Sequence, residues 1–159
     1  MRTVILGVGN ILLTDEGIGV RVIETLQQRY RFPPDVEVVD GGTAGMELLE
    51  TLEHADNLII VDAVRVGQPP GTVVRMAGDE VPVFFRTKIS PHQIGISDLM
   101  AALYFRDASP KNMVVIGFQA VDLSDGMKLS PQAAAKVDYM ATRVVGELAN
   151  LGITVEALA

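Results

Sequence analysis

Cysteine is absent from this 159-residue chain, and its absence excludes several kinds of chemistry at once. No disulfide can form, and no thiolate is available as a nucleophile or as a zinc-finger ligand. A metal ion bound by this protein must therefore be held by oxygen and nitrogen atoms. Any thiolate that takes part in its chemistry must come from another molecule.

Long apolar runs and clusters of basic residues are also missing. No segment approaches the roughly 20 apolar residues that cross a bilayer, so membrane insertion is not expected. The chain starts directly with a strand-like segment and shows no signal-peptide pattern, which favours a cytoplasmic location. The net charge is −7 and lysine and arginine do not cluster, which argues against a nucleic-acid partner.

Strand-like and helix-like segments alternate along the chain. Strands are predicted over 2–8, 36–40, 57–64 and 112–118, with an edge strand over 72–76. Helices are predicted over about 18–30, 45–52, 95–104 and from Pro131 to about 151. This alternation predicts an α/β protein, a three-layer sandwich with a mostly parallel twisted sheet of about five strands flanked by helices. No linker or repeat interrupts it, so residues 1–159 are expected to form a single domain.

Two carboxylates and one imidazole follow strand-like segments or strand-to-loop transitions, namely Glu16, Asp62 and His92. In an open parallel sheet the loops after the strands gather at one edge, which is where such folds bind ligands. Together these three side chains would form a site for a divalent ion such as nickel or zinc, with open coordination positions. Open positions are what metal-assisted hydrolysis requires.

Each of these residues also has an ordinary explanation. Glu16 alone would be an acid at a helix start, and His92 alone a surface histidine. Asp62 is harder to explain in this way, because it lies within the apolar run 57–64 and an unpartnered buried carboxylate is costly. Asp15, next to Glu16, is best explained as a cap or a favourable charge at the start of the helix. Asp40 ends the second predicted strand. It is either a turn residue or a catalytic group at the mouth of a ligand-binding cleft at the same edge of the sheet.

Other functional classes fit less well. The glycines at positions 7 and 9 follow a strand, but a dinucleotide fingerprint would need a third glycine where Leu12 stands. No phosphate-binding Gly-Lys-Ser/Thr motif follows either. A nucleotide-binding oxidoreductase is therefore the least supported of the functional hypotheses. No G-x-S-x-G motif presents a serine nucleophile.

The same residues carry a family resemblance. The segments 7–10 (GVGN) and 15–19 (DEGIG) resemble the N-terminal signature of the hydrogenase maturation endopeptidases. Later blocks of that family are matched in order by 40–43 (DGGT), 62–63 (DA), 90–93 (SPHQ) and 117–119 (GFQ). Glu16 occupies a position where some members of the family have aspartate. Both residues offer a carboxylate ligand, but the longer glutamate side chain changes how far that ligand reaches.

The resemblance implies an endopeptidase that removes a C-terminal extension from the large-subunit precursor of a nickel–iron hydrogenase after nickel insertion. By motif, the metal-binding and catalytic residues would be Glu16, Asp62 and His92, with Asp40 as a weaker catalytic candidate. The nickel would be supplied by the substrate, whose cysteines hold it, and zinc or cadmium could substitute. A non-catalytic nickel-binding maturation chaperone with the same ligands stays open as the alternative.

Overall fold

A central parallel sheet organises the computed structural model, which describes residues 1–42, 46–81 and 96–158. The strands are β1 (Thr3–Val8), β2 (Tyr30–Arg31), β3 (Val36–Gly42), β4 (Asn57–Val64), β5 (Val73–Ala77), β6 (Asn112–Gln119) and β7 (Glu156–Ala157). The helices are α1 (Ile18–Arg29), α2 (Leu49–Leu52), α3 (Ile96–Phe105), α4 (Pro131–Ala134) and α5 (Val137–Asn150). Short 3-10 turns at Thr14–Gly17 and Met46–Leu48 precede α1 and α2.

Five of the described strands pair in the order β3-β1-β4-β6-β5, with β5 antiparallel and the other pairs parallel. The predicted mostly parallel α/β sheet is therefore confirmed, and β5 is the predicted edge strand. The short strands β2 and β7 form a separate antiparallel pair. No helix within the described ranges is long and apolar enough to cross a membrane.

Helices cover both faces of the sheet, which explains why its strands are apolar almost throughout. Alternate residues of β1 and β4 contribute to two separate cores. One core joins Leu6 and Ile60 to α2 and α3, and the other joins Ile5 and Ile59 to α1 and α5. Strand β4 lies in the middle of the sheet, and all eight of its residues are buried.

Two predicted boundaries were wrong. Strand β3 does not end at Asp40 but continues to Gly42. Gly7 pairs with Asp40 while Val8 pairs with Gly42, so Gly41 is an extra residue in a β-bulge. The last helical segment is divided, because α4 ends at Ala134 and α5 begins at Val137.

The amino edge of the sheet, where the parallel strands begin, is held by neutral polar side chains. The Nδ2 atom of Asn57 donates to Oγ1 of Thr3 at 3.0 Å. The Nδ2 atom of Asn112 donates to Oδ1 of Asn57 at 2.8 Å. These bonds connect the first residues of β1, β4 and β6. Beside them the backbone N–H of Arg2 donates to Asp56 at 2.8 Å and lowers the pKa of that carboxyl below its ordinary value.

Candidate functional site at the carboxyl edge

Asp62 lies near the carboxyl end of β4, and its side chain has no solvent exposure. Strand alternation puts it in the row that begins with Leu58 and Ile60, on the sheet face that α2 and α3 cover. A carboxylate in such apolar surroundings carries a large desolvation cost, which a cation or hydrogen-bond donors must offset. The middle strand β4 therefore carries a buried carboxylate near its carboxyl end, where an apolar residue would be less costly.

Glu16 lies in the 3-10 turn that leads into α1, and its side chain is half-buried. This turn contacts β4. The first residues of α1 rest directly on the strand ends, because a Cβ atom at Gly19 would lie 2.3 Å from the carbonyl oxygen of Val61 and 2.5 Å from that of Val8. Only glycine permits this approach. The turn that carries Glu16 and the strand that carries Asp62 thus meet at one edge of the sheet.

Gly9 also positions the turn of Glu16. It has a φ of +136°, which non-glycine residues rarely adopt, and an added Cβ would lie 1.8 Å from the carbonyl oxygen of Glu16. The loop after β1 therefore packs against the backbone of Glu16 itself. The glycines that suggested a nucleotide-binding loop, Gly7 and Gly9, have a different role here, since both let backbone segments approach closely; a Cβ at Gly7 would lie 2.5 Å from the carbonyl oxygen of Gly19.

Asp15 does not act as the predicted helix cap. The 3-10 turn has no side-chain capping bond, and Asp15 is completely buried. Its carboxylate accepts hydrogen bonds from the backbone N–H groups of Val121, Asp122 and Ser130 at 2.8–3.0 Å and from Oγ of Ser130 at 2.9 Å. The residue before Glu16 thus connects this turn to the segment that follows β6.

Backbone hydrogen bonds extend this connection. The N–H of Gly126 donates to the carbonyl oxygen of Leu12 at 2.9 Å, and the N–H of Thr14 donates back to Gly126 at 2.8 Å. The hydroxyl of Thr14 also donates to the carbonyl oxygen of Ser124. Residues 12–15 and 121–130 consequently form one hydrogen-bonded unit beside the edge.

Comparison with known proteins bears on the function of this edge. The model of the hydrogenase maturation protease family matches residues 20–147 of the chain. The hydrogenase 2 maturation protease of Escherichia coli (strain K12) is 46% identical over 154 residues, which cover 96% of this chain and 94% of that relative. The hydrogenase expression/formation protein HupD of Rhodobacter capsulatus is 42% identical over 97% of this chain and 74% of its own length.

The chain belongs to the hydrogenase maturation protease family. The solved structure of the hydrogenase maturating endopeptidase HybD from E. coli agrees with a TM-score of 0.94 at 44% identity, covering 99% of this chain and 98% of that one. The predicted family and its α/β fold are confirmed, and the protein is an endopeptidase of hydrogenase maturation.

The structure of this maturation protease places some of the predicted site residues together and leaves the position of others untested. Glu16 and Asp62 lie at the same edge, as described above. Asp40 is exposed, near the carboxyl end of the outer strand β3. His92 and its neighbours 90–93 lie outside the described residues, as does Thr43, so the three-ligand site stays a prediction. Among the described residues alone, no group of three histidine or acidic side chains could hold a metal ion.

Two contributors to the protease's edge were missed by sequence reasoning. Ser130 caps α4 by accepting from Ala133 N–H, and it also donates to Asp15. Gln119 uses its Oε1 atom to accept from Val66 N–H at 2.8 Å, which fixes the loop that follows β4. The match of 117–119 to a family block was the available signal for Gln119. Nothing local signalled the second role of Ser130.

Proposed function

We propose that this maturation protease removes the C-terminal extension of a nickel–iron hydrogenase large-subunit precursor and that it recognises nickel already bound to that substrate. Glu16, Asp62 and His92 would contribute the protein's ligands to the substrate's nickel. Asp40, exposed at the same edge, is a weaker candidate for a catalytic role at the mouth of the cleft. The name of the E. coli relative, hydrogenase 2 maturation protease, supports a hydrogenase precursor as substrate.

The observation that carries the proposal is the burial of Asp62 at the end of the middle strand, beside the turn of Glu16. Carboxylate oxygens are suitable ligands for a divalent ion, and a cation would offset the cost of burying this charge. Both acids are at the edge where α/β sheets bind their ligands.

The absence of cysteine supports recognition of nickel on the substrate over storage of nickel by the enzyme. Oxygen and nitrogen ligands are weaker competitors for nickel than thiolates, so they could contact the substrate's metal without extracting it. A precursor without nickel would fail to complete the site. Docking on nickel would hold the scissile bond beside a polarised water molecule, and proximity would then accelerate hydrolysis.

The test uses the large-subunit precursor of E. coli hydrogenase 2, prepared with and without nickel and mixed with metal-free enzyme. Mass spectrometry would detect the shortened product, and the E. coli relative provides a positive control. We expect cleavage of the nickel-loaded precursor only. Glu16→Gln should abolish it, whereas the matched variant Glu24→Gln on α1, whose side chain pairs with Arg21 at 3.2 Å, should cleave normally.

Each other outcome has a distinct meaning. Equal cleavage of both preparations would refute nickel as the recognition element. Cleavage by the E. coli relative alone would show that the proposed substrate is wrong for this enzyme. Binding of the nickel-loaded precursor without cleavage would favour the maturation chaperone.

A further inference from the structure

We propose that Leu12, Val121 and Met127 form a docking surface, here called the edge platform, for an apolar and positively charged segment of the precursor polypeptide. The proposal rests on the proposed function, because the precursor is the occupant to which it commits. It assigns a role to residues outside the predicted metal site.

The three side chains are large, apolar and exposed to solvent. Leu12 is 56% exposed, Met127 is 63% exposed and Val121 is 37% exposed. Scattered exposed apolar residues are common, but exposed apolar residues that are grouped together mark interaction surfaces. These three lie on only two segments, which the protein binds tightly to each other.

The platform is held in place before any partner arrives. The carbonyl oxygen of Leu12 accepts from Gly126 N–H at 2.9 Å, next to Met127. The N–H of Val121 donates to the buried carboxylate of Asp15 at 3.0 Å. A surface whose backbone is already ordered loses little conformational entropy when a ligand binds, which favours affinity.

The platform is continuous with the candidate site. Leu12 is followed by the turn that carries Glu16, and Val121 follows β6, which pairs with β4 beside Asp62. A polypeptide substrate extends beyond its scissile bond in both directions. A segment bound on the edge platform would therefore enter the site next to Glu16 and be held in register for cleavage.

Charge indicates the chemistry of the segment. Asp122 and Asp125 are exposed on the same loop, opposed by Lys128. Arg21 donates to the carbonyl oxygen of Met127 at 3.2 Å, but its charge is paired with Glu24, so the acidic groups stay in excess. The hydroxyl and backbone N–H of Ser124 donate to Asp122 and keep the pKa of that carboxyl below its ordinary value. The whole chain is also acidic, at −7. A substrate segment that has apolar residues flanked by basic residues would complement this surface.

The test measures steady-state cleavage of the same nickel-loaded precursor by the double variant Leu12→Ser, Met127→Ser. We expect KM to rise about tenfold while kcat changes by less than about twofold, because the platform binds substrate away from the reacting bond. Asp125→Asn should give a smaller rise in KM that disappears at high salt. The conservative double variant Leu12→Met, Met127→Leu should keep the original KM.

The matched control is Tyr104→Ser, Phe105→Ser at the end of α3. These side chains are 74% and 85% exposed but line a cavity beside Lys111 and Met113, at the start of β6 and the opposite edge of the sheet. They should leave KM unchanged. An unchanged KM in the platform variant, or an equal rise in the control, would overturn the proposal.

A binding measurement separates this proposal from the proposed function. Biolayer interferometry with immobilised precursor should show binding that the platform variant weakens and the control does not. Absence of cleavage by the unmodified enzyme would count against the proposed function, while this binding difference would still support the platform. Equal binding of both variants would overturn the platform even if cleavage is observed.

Discussion

The two edges of the central sheet both bury polar groups, but the groups differ in charge. At the amino edge the buried Thr3 and Asn57 are neutral and bond to each other, and Asn57 also accepts from the exposed Asn112 on the next strand. At the carboxyl edge the buried groups include two aspartates, Asp15 and Asp62. Neutral networks with satisfied bonds stabilise a fold at modest cost, whereas buried acids carry a desolvation penalty that needs a specific compensation.

At the carboxyl edge the compensation is seen directly at Asp15. Asp15 is surrounded by four donors from the segment that follows β6, so its charge stabilises the connection between two loops. Asp62 lies at the end of a strand whose other residues are apolar, apart from Asn57 at its start. Asp15 therefore has a structural role, whereas the proposed role of Asp62 as a nickel ligand is what the following variants test.

The largest expected effect is that of Asp62→Asn, which tests the functional half of the comparison. If Asp62 is the proposed nickel ligand, cleavage of the nickel-loaded precursor should fall by about three orders of magnitude or more. The free energy of unfolding should change little, because asparagine keeps the shape of the side chain and one of its two acceptor oxygens. Urea unfolding and the cleavage assay measure the two quantities. A marked loss of stability with normal activity would show that Asp62 is structural and would remove the contrast with Asp15.

The next effect is that of Asp15→Ala, which should lower the free energy of unfolding by about 3 kcal/mol, because buried donors lose their acceptor. Cleavage by the folded protein should also decrease, since Asp15 holds the turn of Glu16.

Asn57→Ala at the amino edge is the matched control for Asp15→Ala. It should lower the free energy of unfolding by about 2 kcal/mol through its lost bonds to Thr3 and Asn112, with no change in cleavage by the folded protein. Equal activities of the two folded variants would contradict a positioning role for Asp15.

The smallest effect concerns Asp56 at the amino edge. Its pKa is below the ordinary 3.8 in the folded protein, mainly because Arg2 N–H donates to the ionised form. The ionised carboxylate therefore stabilises the fold at neutral pH, and this contribution is lost as the pH falls below about 3.8 through the folded pKa. The difference in unfolding free energy between the original protein and Asp56→Asn should shrink over that acidic range in urea titrations. If this difference in unfolding free energy does not depend on pH, the charge of Asp56 does not contribute to stability.

Local sequence pattern predicted some of this structure and missed the rest for physical reasons. The bounds of β4 were predicted because a mostly apolar eight-residue segment between polar flanks is typical of a buried parallel strand. Asp62 was identified because it interrupts that run. The bulge at Gly41 was missed, since a pair of glycines predicts a turn as readily as an irregular strand.

The role of Asp15 was beyond local prediction. Its donors are 106 to 115 residues further along the chain, so only the assembled fold brings them to its carboxylate. An acid at a helix start matches the capping pattern whether or not it caps. The family resemblance supplied what periodicity could not, namely the order of the motif blocks and the expected chemistry.

The contact of Gly19 with the carbonyl oxygens of Val8 and Val61 has a consequence for how this protein tolerates mutation. At this point the span between the start of α1 and the ends of β1 and β4 is limited by backbone atoms and not by side chains. A conservative change among the buried apolar residues leaves this contact in place, because no core side chain takes part in it. Replacement of Gly19 by a larger residue would alter that span in a single step.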